Sequence, residues 1–99
     1  MPSINEYCEA IEDSGLLSKS QKSILKYIVS FDLARGVPSS SIIDYMQITK
    51  QAVNFSLKEL LKRAFVVRKK DKVFIYTINQ IKLSELLEDY RKKKELKLN

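Results

Sequence analysis

The sequence predicts a mainly α-helical chain with one small β-hairpin, an α+β fold forming a single domain over residues 1–99. Three observations lead there. Apolar residues recur at helical spacing in five separate segments. Two β-branched and aromatic runs, Phe65-Val66-Val67 and Val73-Phe74-Ile75-Tyr76, flank the polar stretch Arg68-Lys69-Lys70-Asp71-Lys72, the pattern of a hairpin with a charged tip. Finally, 99 residues supply one core and not two.

Ser3 with Glu6 fits a capping box, and Ile4, Tyr7, Cys8 and Ile11 follow at helical spacing. That helix is expected to end near Ser14-Gly15, with the glycine supplying the stop. A second start lies at Ser18 with Gln21, and Ile24, Leu25, Ile28 and Val29 carry a helix expected to reach Arg35-Gly36. Pro38 disfavours helix at Val37, and Ser39, Ser40 and Ser41 offer caps for a short third helix with Ile42, Ile43 and Met46. Thr49 is the expected cap of a fourth helix, whose core stripe is Val53, Leu57, Leu60, Leu61 and Ala64. After the hairpin, Asn79 can cap a last helix with Leu83, Leu86, Leu87 and Tyr90 on one face. Beyond Arg91-Lys92-Lys93-Lys94 the stripe thins, so the end is expected to fray near residue 95.

Composition excludes several chemistries. There is no histidine, so no imidazole base, ligand or pH switch. Gly15 and Gly36 stand too far apart for a phosphate loop. Cys8 alone makes neither an internal disulfide nor a zinc site. We therefore expect no cofactor, no metal and no enzymatic activity. No apolar run approaches a membrane span and the N-terminus lacks a signal pattern, so a cytoplasmic protein without a membrane partner is expected.

The charge is unevenly spread. Residues 1–48 carry four basic and six acidic side chains, whereas residues 49–99 carry fourteen basic and six acidic. The window 49–72 alone has a net charge of +6, equal to that of the whole chain. Such a stripe is the footprint expected for a polyanion partner, although a solvated lysine-rich surface would look the same.

The order helix, helix, short helix, long helix, hairpin, helix is that of a winged helix, in which the long helix lies in a DNA major groove. The residues from Ser41 through Ile42, Ile43, Met46, Ile48, Thr49, Val53 and Leu57 to Leu60 resemble the helix-turn-helix of bacterial MarR-like and ArsR-like regulators. Ala64-Phe65-Val66 resembles the step with which those families enter the first wing strand. Two positions depart from the pattern: Gln47 stands where a turn glycine is common, and Asp44 where a small alanine is usual. The likeness covers about residues 20–78 and implies a helix-turn-helix near 40–64, a wing near 65–78 and a flanking helix near 80–95.

On the recognition helix, Thr49, Lys50, Gln51, Asn54, Phe55 and Lys58 are the expected DNA-facing residues. Gln51 and Asn54 have the chemistry to pair with adenine, while Thr49 doubles as the helix cap. Phe55, an outward aromatic, suits thymine methyls, a protein partner or packing on the wing. In the wing, Arg68, Lys69, Lys70 and Lys72 are expected to meet phosphate or a minor groove; blunting of an exposed edge is the other reading. The terminal stripes Ile4, Tyr7 and Ile11, and Leu83, Leu86, Leu87 and Tyr90, either complete the core or join two copies. The resemblance implies a homodimer, which would present two recognition helices about 34 Å apart to a palindromic site. Three functions stay open: a sequence-specific regulator on double-stranded DNA, associated with the nucleoid when bound; a DNA adaptor in plasmid partition or replication; and a protein-interaction module that binds no DNA.

Overall fold

A computed structural model describes residues 2–31 and 34–98. The first helix, α1 (Ile4–Asp13), begins where Ser3 Oγ accepts the Glu6 N–H at 3.2 Å. Glu6 does not close the expected box; its carboxylate turns to Arg91 instead. The helix ends at the expected place, but Ser14 in extended backbone, rather than Gly15, caps it through its N–H to the Ile11 carbonyl. Helix α2 (Lys19–Phe31) has the full reciprocal box: Ser18 Oγ accepts from Gln21 N, and Gln21 Oε1 accepts from Ser18 N. It ends before the expected Arg35-Gly36; residues 32 and 33 lie outside the described residues, and residues 34 and 35 form a turn.

A strand the sequence did not announce follows. Strand β1 (Val37–Pro38) pairs antiparallel with β3 (Phe74–Ile78), which also pairs with β2 (Val66–Lys70), in the order β1-β3-β2. Pro38 is tolerated because β1 is an edge. Gly36 turns the chain into this strand at φ +85, and an added Cβ there would lie 2.6 Å from the Tyr76 carbonyl oxygen. That oxygen belongs to the central strand and has no room to move. Gly36→Ala should therefore lose more than about 1 kcal/mol of unfolding free energy in a denaturant titration; unchanged stability would mean that β1 is dispensable.

Helix α3 (Ser39–Met46) starts directly after Pro38, so the three serines sit inside its first turn and none caps it. Its exit is the departure noted at Gln47, which takes the left-handed conformation at φ 53, ψ 34. Helix α4 (Lys50–Lys62) is capped as expected, Thr49 Oγ1 accepting from Ala52 N at 3.1 Å. It ends in a Schellman pair: Phe65 N bonds the Leu60 carbonyl and Ala64 N the Leu61 carbonyl, with Ala64 left-handed at φ 63. Ala64 is thus an exposed cap and not part of the core stripe. Each left-handed non-glycine costs about 1 kcal/mol. Gln47→Gly and Ala64→Gly should each raise the melting temperature, and a fall in both would contradict these turn geometries.

Val53, Leu57 and Leu60 of α4 meet Ile24, Leu25 and Ile28 of α2, Ile42 of α3 and Val37, Val66, Tyr76 and Ile78 of the sheet in one core. The last helix, α5 (Gln80–Leu98), continues past the expected frayed end. Its reason is α1. Arg91 makes a two-pronged ion pair with Glu6, at 2.8 Å from both Nε and Nη2, Lys93 reaches Asp13, and the Tyr90 hydroxyl donates to Glu9. Ionic contacts replace the apolar stripe where it thins. Among the described residues no helix is long and apolar enough to cross a membrane.

These contacts make the α1 clasp pH-sensitive. Hydrogen bonding to Arg91 lowers the Glu6 pKa below its ordinary 4.5, and Lys26 does the same for Glu12. The hydrogen bond to Glu9 raises the Tyr90 pKa above 10. A lowered carboxyl contributes stability above its unfolded pKa and loses it as pH falls through the folded value; a raised phenol loses its contribution as pH rises past 10. Amide exchange in α1, corrected for the intrinsic rate, should therefore quicken at both pH extremes and be slowest between them. A flat profile would mean that the ion pairs hold nothing.

Candidate nucleic-acid interface

Helix α4 is tied to α2 at two points. Its buried Ser56 hydroxyl meets Ser20 of α2 at 3.0 Å, and Arg63 just past its end donates to Gln21 Oε1 at 3.2 Å. Asn79 secures the wing behind it, donating from Nδ2 to the Ala64 carbonyl and from its backbone N–H to the Phe65 carbonyl, while Oδ1 accepts from Ile81 N at the start of α5. Ser56 and Gln21 thus fix α4 against α2, and Asn79 fixes the hairpin against the end of α4. Ser56 does not stand out in the sequence, and Gln21 does so only as the partner of Ser18 in the start of α2.

With the core side of α4 turned inward, the expected residues divide between two faces. Lys50, Asn54 and Lys58, spaced four apart, line a groove between α4 and the wing together with Ser39, Ile43, Leu61, Arg68, Phe74 and Tyr76. Gln51 and Phe55 lie on the outward face, and Phe55 keeps 66% of its surface exposed. Thr49 is exposed, with its side-chain oxygen engaged as the cap.

The wing divides likewise. The register sets Val66 opposite Ile78, Arg68 opposite Tyr76 and Lys70 opposite Phe74. Val66, Tyr76 and Ile78 are buried, so strand alternation carries Arg68, Lys70 and Phe74 on the α4 side and Val67 and Lys69 on the other. Lys72 sits in the tip between the strands. The four wing cations expected as one cluster are therefore on two faces and a tip. Phe74 was not singled out by sequence; the Arg68 guanidinium lies 4.4 Å and the Lys70 ammonium 5.3 Å from its ring centroid.

The groove carries Lys50, Lys58 and Arg68 with no carboxylate in its lining. None of the three forms an ion pair among the described residues. The basic run of α5 is different, because Arg91 and Lys93 are engaged by α1 and Lys92 by Glu88.

At the opposite end, most of the residues expected either to complete the core or to join two copies are covered within the chain. Ile11, Leu83, Leu86 and Leu87 are buried between α1, α5 and the core, at most 5% exposed. Tyr7 and Tyr90 are half-buried. Only Ile4 of that set is exposed, and it lines a shallow apolar groove with Tyr7, Val29 and Phe31.

No protein-family model matches the chain, and no curated protein matches it in sequence. Solved structures do resemble it. The ST1889 protein of the thermoacidophilic archaeon Sulfolobus tokodaii aligns over 96% of this chain and 93% of its own, at 22% identity and TM-score 0.60. MepR, a transcription regulator of the multidrug efflux pump MepA in Staphylococcus aureus, aligns over 95% of this chain and 73% of its own, at 19% identity and TM-score 0.66; a mutant of it is seen bound to an oligodeoxyribonucleotide. The archaeal chromatin protein TrmBL2 aligns over 97% of this chain and 36% of its own, at 14% identity and TM-score 0.60. At these identities the likeness is one of fold. The fold is the winged helix-turn-helix, with α3 and α4 as the helix pair and β2–β3 as the wing.

Proposed function

We propose that this chain binds double-stranded DNA sequence-specifically as a homodimer and acts as a small transcriptional regulator. The carrying observation is the groove in which Lys50, Lys58 and Arg68 converge without a carboxylate. Three cations on two elements with no internal counter-charge repel one another, and a polyanion laid along the groove removes that cost. Helix α4 is about 20 Å long, which suits a major groove roughly 12 Å wide. Its free N-terminal end would present Gln51 and Asn54 to base edges, while Lys50 and Lys58 meet phosphate. Lys70 would join them from the wing, and Lys69 and Lys72 would approach the backbone from the far face and the tip. MepR and TrmBL2, whose structures concern DNA binding, share this fold and support the reading.

A second copy would meet the surface around Ile4 and Phe31, because Ile11, Leu83, Leu86 and Leu87 of the terminal stripes are already covered. A different reading has one specific support: Phe55, Tyr45 and Ile48 are large exposed apolar side chains on or beside the helix pair, which suits a protein partner. Selection of sites from random duplexes separates the two. The DNA reading expects an enriched site with two half-sites about one helical turn apart. No enrichment at low salt would favour the protein-interaction module, and tandem arrays of one half-site would favour an adaptor that coats repeats.

A further inference from the structure

We infer that Phe74 is a positioning residue for DNA contact: its ring holds the Arg68 guanidinium on the α4 side of the wing, where Arg68 grips the phosphate backbone beside the recognition helix. The inference rests on the DNA-binding reading above and adds a residue that reading does not require. Arg68 stands opposite Tyr76, so Phe74 is its diagonal neighbour on the same sheet face, within reach of a long side chain. The guanidinium carbon lies 4.4 Å from the ring centroid, and both residues line the groove shared with Lys50, Asn54 and Lys58.

The chemistry of the holder matters. A carboxylate would fix an arginine by consuming its in-plane N–H donors, leaving a neutral pair with little for a phosphate. An aromatic ring attracts the guanidinium through its face and leaves the planar fork of donors at the edge free. Arg68 has no ion pair among the described residues, so the ring is what restrains it while its hydrogen-bonding capacity stays unspent. Restraint before binding lowers the side-chain entropy lost when the phosphate arrives. Lys70, farther from the ring at 5.3 Å, shares the face but lacks the planar group that stacks.

The test has two arms. In the free protein, nitrogen-15 relaxation at Arg68 Nε should report a restrained side chain that Phe74→Leu frees and Phe74→Tyr does not. On a selected duplex, Phe74→Leu should weaken binding roughly two- to fivefold per subunit, with Phe74→Tyr restoring it. Arg68→Ala should weaken binding further, and Phe74→Leu added to Arg68→Ala should cost nothing more. Arg68→Lys, which keeps the charge but loses the fork, should also become indifferent to Phe74→Leu; this pair tests the idea without relying on Arg68→Ala. An Arg68 equally restrained with Leu at position 74, or additive losses in the double variant, would overturn the proposal. A wild-type chain that bound no duplex would overturn the DNA reading itself, while the relaxation arm would still decide whether the ring holds the arginine.

Discussion

Replacing Lys50, Lys58 and Arg68 together by alanine is expected to leave a folded protein that no longer holds duplex DNA at physiological salt. All three side chains line the groove and none is paired, so removing them breaks no ion pair of the fold. Exposed cations of this kind contribute little stability. Their effect on binding is large because each phosphate contact releases a counterion. Three contacts in each of two subunits would contribute about 5.4 units to the log–log salt slope, at roughly 0.9 per contact. The triple variant should lose most of that slope, measured by fluorescence anisotropy across a salt series. Lys69→Ala, on the opposite face of the wing, should change it by no more than about one contact per subunit. Equal effects from Lys69 and from the groove cations would mean that charge alone attracts DNA and that the groove has no special part.

The second large effect concerns the far end of the molecule. Leu83 of α5 is 1% exposed within the chain, so Leu83→Ala should lower the unfolding free energy by about 2–5 kcal/mol. The fraction that remains folded should keep the sedimentation of the unmutated chain, because this residue faces the subunit's own core. Dissociation of a dimer into well-folded monomers, without loss of stability, would instead place Leu83 at an interface between copies.

Much of this architecture can be read from periodicity. Val53, Leu57 and Leu60 announce the buried side of α4, Thr49 its start, and the two β-rich runs the wing. The match of the short α3 and long α4 to a helix-turn-helix follows from the same pattern. What periodicity lacks is the identity of the opposing surface. The stripes of α1 and α5 are visible in sequence, yet only packing reveals that Ile11, Leu83, Leu86 and Leu87 cover each other and the core. Strand β1 is two residues long, too short to show any alternation, and only the close approach of Gly36 to Tyr76 betrays it. The wing cations form one cluster in sequence because the side on which each points depends on a register that composition does not encode. The same limit hides Phe74, which in sequence is one apolar residue in a strand, and becomes distinctive only with Arg68 lying over its ring.

Gln47 and Ala64 illustrate a subtler kind of legibility. Both occupy left-handed positions at the ends of the two helices of the motif. The departure at Gln47 is therefore a glycine position filled by a side chain that carries a small conformational cost, and the turn keeps its shape. The step Ala64-Phe65-Val66 has its reason in the Schellman pair, where a small residue at the first position turns the chain from α4 into β2.

The most direct test of the central claim is an amide chemical-shift map recorded while a selected DNA duplex is titrated into the protein. Saturable shifts are expected to concentrate on residues 49–58 and on the wing around Arg68, Lys70 and Phe74, with the α1–α5 contact little changed. Shifts confined to the α1–α5 end, or weak shifts spread over every lysine without saturation, would contradict it.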